Sequence, residues 1–380
     1  MGEWKEYKIK DLGFVVTGKT PSSTFPEEFG SEMPFVTPTD FRNYRKQVSF
    51  AERNLSAKGI EKLRNKVLPP ASVLVTCIGS DMGKVVMNRV PVITNQQINA
   101  IIPNQELVSP DFLYYMLVDC YETLRMYSQA GTAVPILNKG DFEDIDLIIP
   151  SDLPEQKSIA SILSSLDDKI DLLHLQNKTL EALAVTLFRQ WFLPASAGQA
   201  GVEEAEEGWE TGTIEDEFDF TMGQSPPGSS YNEDGKGMVF FQGRTDFNFR
   251  FPEPRVYTTE PNRLAKKFDT LISVRAPVGD INMAMEECCL GRGVAAFRYK
   301  DNPSYHTYTY YKLRSLMAQI KQFEDSGTVF GSIGKDDFNK LENILPSSKM
   351  VEKFQAQAAP LDEKIYKNTL QIKTLTRLRD

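Results

Sequence analysis

Cysteine and histidine are scarce: the chain of 380 residues holds four of the first and two of the second. Cys77, Cys120, Cys288 and Cys289 form no CxxC pair, and His174 and His306 add no metal-ligand spacing beside them. That excludes a disulfide framework and a zinc site, and it fits a reducing cytoplasm. Neither histidine has a Ser/Asp or Cys/Asp partner at triad spacing, and no carboxylate pair stands out among the 52 acidic residues. No catalytic residue and no metal ligand is therefore expected. Long apolar runs are also missing. None approaches the roughly 18 residues of a membrane span, and the opening MGEWKEYKIKDL lacks the apolar core of a secretion signal.

Two short motifs promise chemistry that their surroundings withhold. GFVVTGKT (Gly13–Thr20) satisfies the phosphate-loop pattern G-x-x-x-x-G-K-[ST]. Yet Phe14, Val15 and Val16 resist the left-handed turns of a phosphate nest, and PSSTFPEEFG after it does not read as a helix. NPSY (Asn302–Tyr305) falls one residue short of the Asn-Pro-Pro-Tyr signature of adenine methyltransferases, with no glycine-rich cofactor loop before it. A helix start, with Pro303 early in the helix, is the expectation there.

The net charge of −9 argues at first sight against a nucleic-acid partner. Its distribution reverses the argument. Nine acidic residues and no basic one lie between Glu203 and Asp219, so the remainder is neutral overall. Arg42–Lys66 carries eight basic residues against two acidic, and Arg244–Arg275 is also basic. Such clusters are either solvated faces or patches that meet phosphate.

What is present in abundance is pattern. From Glu155 to Trp191, apolar residues fall at alternating steps of four and three: Ile159, Leu163, Leu166, Ile170, Leu173, Asn177, Leu180, Ala184 and Leu187. This is a coiled-coil seam, on a helix of about 55 Å at ~1.5 Å per residue. The C-terminus repeats it with Val351, Phe354, Ala358, Leu361, Ile365, Asn368, Ile372 and Leu375. Each seam holds one asparagine, and antiparallel pairing would bring the two together and fix register.

The stretches before the seams are also repeated. Trp4, Gly18 and Pro21 correspond to Trp209, Gly223 and Pro226, SVLVTCIGSDMG to TLISVRAPVG, and Tyr114-Tyr115 to Tyr310-Tyr311. AGTAVPILNKGDF (Ala130–Phe142) returns as SGTVFGSIGKDDF (Ser326–Phe338). A mixed α/β domain followed by a long helix is therefore present twice. The expected divisions are a first domain at 1–152, a helix at 153–193, an acidic, small-residue linker at 194–208, a second domain at 209–348 and a helix at 349–380.

Within this frame the polar loops vary. TNQQIN (Thr94–Asn99) against LGRGV (Leu290–Val294) places Gln97 and Arg292 at the same position. Gln pairs bidentately with adenine and Arg with guanine, each worth about 1–3 kcal/mol of discrimination. Gly131-Thr132 and Gly327-Thr328 suit close approach to phosphate, or form ordinary tight turns. Phe41, Tyr44, Phe247 and Phe249 interleave with Arg42, Arg45, Arg244 and Arg250, as base stacking or as plain packing. The candidate DNA contacts are Arg42, Arg45, Lys46, Gln96, Gln97, Gly131, Thr132 and Lys139 in the first domain. In the second they are Arg244, Arg250, Arg275, Arg292, Gly327, Thr328 and Lys335.

The duplicated GT segment ending in Asp-Phe, the LISVRAPVG segment, and the helix openings PEQKSIASILSSLDDKI and VEKFQAQAAPLDEKI together resemble the specificity subunit of a type I restriction–modification system, over essentially the full length. The resemblance implies two target recognition domains, each reading half of a bipartite DNA site, on two long antiparallel helices that serve as spacer. It implies docking of modification subunits, which bind S-adenosylmethionine and methylate adenine, and of a restriction subunit for cleavage. It implies no catalysis and no cofactor on this chain. Unlike readers in the two domains predict an asymmetric target. The competing reading is a coiled-coil adaptor whose repeated domains bind protein.

Overall fold

Each domain begins and ends on one antiparallel ribbon. Trp4–Lys8 pairs with Asp146–Pro150, and Glu210–Thr213 pairs with Glu342–Leu345. The computed structural model describes residues 3–22, 24–43, 46–79, 81–126, 136–193, 209–325 and 331–380. Contacts divide the chain into two units, Met1–Leu173 with Ile372–Asp380, and His174–Gln371.

In the first unit a five-stranded sheet runs in the order Gly13–Thr17, Ile98–Pro103, Val73–Thr76, Val85–Asn88, Gln47–Val48, with only the last pair parallel. A four-stranded sheet adds Phe29–Gly30, Asn54–Leu55, Met33–Val36 and Ile93–Thr94. The second unit repeats both. One sheet orders Phe218–Met222, Val294–Tyr299, Thr270–Ser273 and Ile281–Met283, and the other Tyr231–Asn232, Tyr257–Thr258, Met238–Phe241, Cys288–Leu290 and Leu264–Ala265. Val73–Thr76 and Thr270–Ser273 are buried at every position, which is why they read as unbroken apolar or small-residue runs rather than alternating ones. The architecture is mixed α/β, built twice.

Gly13–Thr17 is a strand with Val15 and Val16 buried, so GFVVTGKT is not a phosphate loop. Pro110–Asp119 stops at Cys120 and a second short helix follows at Tyr121–Met126. Pro303 precedes the helix His306–Ser315 rather than lying within it.

The two long helices span Leu153–Phe192 and Ser348–Arg379, about 60 and 48 Å at 1.5 Å per residue. Within the second unit their segments run antiparallel, since Asn177 meets Asn368 at one end while Phe188 and Phe192 meet Phe354 at the other. Asn368 Nδ2 donates to Asn177 Oδ1 at 2.9 Å, with both side chains buried. Ile170, Leu173, Ala184, Val351, Phe354, Ala358 and Ile365 are buried on the seams. Ile159, Leu163, Leu166, Leu180, Leu187, Leu361, Ile372 and Leu375 are half-buried. Phe188 and Phe192, off the seam, enter the core of the second domain.

Candidate nucleic-acid interface

Backbone hydrogen bonds define which residues correspond. Ile9 N donates to Ile145 O as Ile214 N does to Leu341 O, and Asn104 N to Leu12 O as Lys300 N to Glu217 O. Met87 N donates to Lys46 O as Met283 N does to Arg250 O, so Lys46 and Arg250 are counterparts.

Both were expected to contact DNA, and neither is placed to do so. Lys46 is 7% exposed; its Nζ lies 2.7 Å from Ser164 Oγ, 2.6 Å from Asp111 Oδ1 and 4.8 Å from the Tyr115 ring centre. Arg250 is 2% exposed, with its guanidinium 3.7 Å above the Tyr310 ring and 3.0 Å from Asp362 Oδ1. Burial alone would lower the Arg250 pKa, but Asp362, Tyr310, Tyr311 and Glu181 outweigh it and hold the cation above its ordinary value. Each residue anchors its domain to the long helix of its own unit. The Asp partner recurs as well, for Asp167 accepts the Tyr115 hydroxyl at 2.7 Å and Asp362 the Tyr311 hydroxyl at 3.1 Å. Arg250, a buried cation that partners the buried Asp362 carboxylate, is retained by the cost of leaving either one alone, not by phosphate.

Glutamines complete the anchor. Gln156 Oε1 accepts the Ser109 N–H at 2.9 Å, and Gln355 Oε1 accepts the Tyr308 N–H at 3.0 Å. Each satisfies an orphan donor in the first turn of a domain helix. The Ser109 hydroxyl itself makes no cap bond.

The exposed polar residues gather instead on a tip made of two loops. In the first domain Gly18 N donates to Ile98 O and Lys19 N to Thr94 O; in the second, Gly223 N donates to Val294 O and Gln224 N to Leu290 O. Asn95 N donates to Val36 O as Gly291 N does to Phe241 O, and Cys77 N to Gln97 O as Val274 N to Gly293 O. This ladder corrects the sequence alignment, because it sets Gln96, not Gln97, opposite Arg292. Gln97 corresponds to Gly293, and its Oε1 accepts from Asn95 Nδ2 at 2.8 Å. Gln96 is exposed, with its Oε1 accepting from the Thr20 hydroxyl at 2.6 Å.

Around the second tip stand Arg244, Arg275 and Arg292, all exposed. Arg275 is bridged by backbone to Ser332, beside Val274 and Gly293. Arg244 pairs with Asp280 at 2.6 Å, whereas Arg275 and Arg292 have no acidic partner among the described residues. Arg263, which sequence reasoning missed, is likewise exposed, and its carbonyl accepts from Leu290 N at 2.7 Å. Lys335 opens the helix Lys335–Lys340 next to this segment, as Lys139 opens Lys139–Glu143 in the first domain. Lys139 lies 3.3 Å from Glu143 and over the Phe14 ring. Arg42 belongs to the 3-10 turn Pro38–Asn43. Arg45, Gly131, Thr132, Gly327 and Thr328 lie outside the described residues. Part of the acidic stretch is structural, since Asp216 Oδ2 accepts both the Thr213 hydroxyl and the Thr213 N–H at 2.8 Å, and these bonds lower its pKa.

Cys77 stands beside the first tip, its N–H donating to Gln97 O. Burial pushes the Cys77 thiol up to about 12, which leaves it unreactive at neutral pH. Among the described residues no cluster of His, Cys, Asp and Glu is placed to hold a metal ion, and no helix is long and apolar enough to cross a membrane.

One domain followed by an anchored long helix is thus built twice, and each copy carries a cation and an amide on its tip. The chain belongs to the type I restriction modification DNA specificity domain family, which matches residues 1–182 and 206–373. It is the DNA-specificity component of such a system. It is 29% identical over 364 residues to the putative type I restriction enzyme MjaX specificity subunit of Methanocaldococcus jannaschii, covering 90% of this chain and 83% of that one. To the MjaIX specificity subunit of the same organism it is 26% identical over 404 residues, covering 100% and 91%. The fold is similar to the crystal structure of the S subunit from M. genitalium, with a TM-score of 0.63 at 18% identity over 100% of this chain and 94% of that one. These matches do not favour the protein-binding adaptor.

Proposed function

We propose that the two tips read the two halves of an asymmetric, bipartite duplex-DNA target. In this reading the chain delivers specificity to modification subunits that hold S-adenosylmethionine and methylate adenine, and a restriction subunit joins for cleavage. The chain itself supplies no catalytic residue, cofactor or metal, and works in the cytoplasm. One observation carries the reading: the same backbone ladder builds both tips, but Gln96 on one is replaced by Arg292 on the other. A fixed frame with exchanged side chains is what two different half-sites require, because base edges are told apart by side-chain donors and acceptors. The test is duplex binding by the chain together with its modification subunit, titrated with salt. Log affinity is expected to fall linearly with log salt as phosphate counterions are released. A flat response would reject DNA as the ligand.

A further inference from the structure

Lys19 and Gln224 are counterparts, each bonded through its backbone N–H at 2.9 Å to the carbonyl two residues before the reader, Thr94 before Gln96 and Leu290 before Arg292. Both side chains are exposed, and neither has a hydrogen-bond or ion-pair partner among the described residues. Each is followed by a hydroxyl that touches the reader, for Thr20 Oγ1 donates to Gln96 Oε1 and Ser225 Oγ accepts the Arg292 N–H at 3.4 Å. Each is preceded by a glycine with no room for a side chain. A Cβ on Gly18 would stand 2.1 Å from Asn95 O, and one on Gly223 2.2 Å from Gly291 O. The loops therefore pack backbone on backbone, and the two exposed side chains of each tip leave a rigid frame close together.

The chemistry of the pairs is crossed. The first tip carries a cation at Lys19 and an amide at Gln96; the second carries an amide at Gln224 and a cation at Arg292. Lys and Arg suit the O6 and N7 acceptors of guanine, and Gln suits the donor–acceptor edge of adenine. We propose that Lys19 and Gln224 are specificity-determining residues, so that each tip reads one guanine and one adenine, with the two bases in opposite order relative to the domain frame. This rests on the DNA-reading function proposed above and names the residues that execute it.

The test is methylome sequencing of cells that express the modification subunit with the wild-type chain, Lys19→Met, Gln224→Met, or the double variant Gln224→Lys with Arg292→Gln. Methionine keeps the length of the stem and removes the polar head. Lys19→Met is expected to relax one guanine of the first half-site at least about fivefold, and Gln224→Met one adenine of the second, with the other half intact. The double variant is expected to exchange the guanine and adenine preferences of the second half-site. Variants that keep the wild-type motif overturn the assignment. So does relaxation at both halves, or a uniform loss over all sites in a folded protein, which would mark phosphate contacts. If the wild-type chain itself yields no bipartite motif, the DNA-reading function fails rather than this assignment.

Discussion

Four buried positions form a polar network in the second domain and an apolar cluster in the first, which makes their exchange a direct measure of what the network is worth. Glu217 is 5% exposed; its carboxylate accepts from the Tyr308 hydroxyl and from Asn343 Nδ2. Lys312, 7% exposed, donates to Ile344 O at 2.7 Å. By the shared backbone ladder their counterparts are Leu12, Phe112, Leu147 and Met116, which lie in or against the first domain's core. Glu217→Leu alone strands the Tyr308 hydroxyl and the Asn343 amide and removes the carboxylate charge that offsets the buried Lys312 ammonium, at a cost of about 3–5 kcal/mol. Changing all four to the first domain's set (Glu217→Leu, Tyr308→Phe, Lys312→Met, Asn343→Leu) removes every stranded group. It also removes Asn343 Oδ1, which is buried without a partner. That variant is expected to equal the wild type or exceed it by up to about 4 kcal/mol.

Urea unfolding followed by tryptophan fluorescence measures this, because Trp191 and Trp209 both belong to the second unit, beside Phe354 and Phe192. Trp4→Phe removes the tryptophan of the first unit. The pH dependence gives a second reading. Burial raises the Glu217 pKa above its ordinary value, so just above the unfolded carboxylate value of about 4.3 the native state holds a proton that the unfolded state has released. Stability from this group therefore falls as pH rises through the window between the two values, and levels off above the folded one. The four-residue variant is expected to lack that slope. A four-residue variant as unstable as Glu217→Leu, or one with the wild-type slope, would refute the reasoning.

Three further outcomes are expected. Asn177→Leu or Asn368→Leu alone costs about 1–3 kcal/mol by leaving a buried amide unpaired, while the double variant recovers most of it. Strictly additive unfolding energies would contradict the pairing. Arg250→Met destabilises the second domain by about 3–5 kcal/mol because the buried Asp362 loses its cation, whereas Glu181 keeps Arg314. The methylation motif of the surviving protein stays unchanged, and a relaxed motif would return Arg250 to the DNA surface. Gln96→Ala relaxes the first half-site and Gln97→Ala does not; the reverse result, read from the methylome, would restore the alignment of Gln97 with Arg292.

The seams and the repeat were legible because burial leaves a period in the sequence. Leu173, Asn177 and Ala184 follow it, and so do Phe354, Ala358 and Ile365. The tips were not legible to the same depth. TNQQIN and LGRGV share no side chain that marks register, so a one-residue gap is invisible until hydrogen bonds count the backbone. Nor does a basic run say which of its members is free. Arg250 sits in the same stretch as Arg244, Arg263 and Arg275, but its partner Asp362 lies 112 positions away, on the long helix. Burial by a distant element leaves no local trace. The signal that was present is the repeat itself, since Lys19 and Gln224 already faced each other across it.

That division of labour follows from how each domain is held. The anchors vary little between the copies: Lys46 becomes Arg250, while Tyr115 and Asp167 return as Tyr311 and Asp362. A change at any of them leaves a buried charge or hydroxyl alone, so the permitted substitutions are few. The tips vary freely because their geometry comes from carbonyl–amide bonds and from Gly18 and Gly223, where no side chain fits. Nothing in that frame depends on whether position 19 or 224 carries an amine or an amide. Replacing a reader therefore costs little folding energy, and target preference is able to change in one domain while the core, the helix and the other half-site stay as they were.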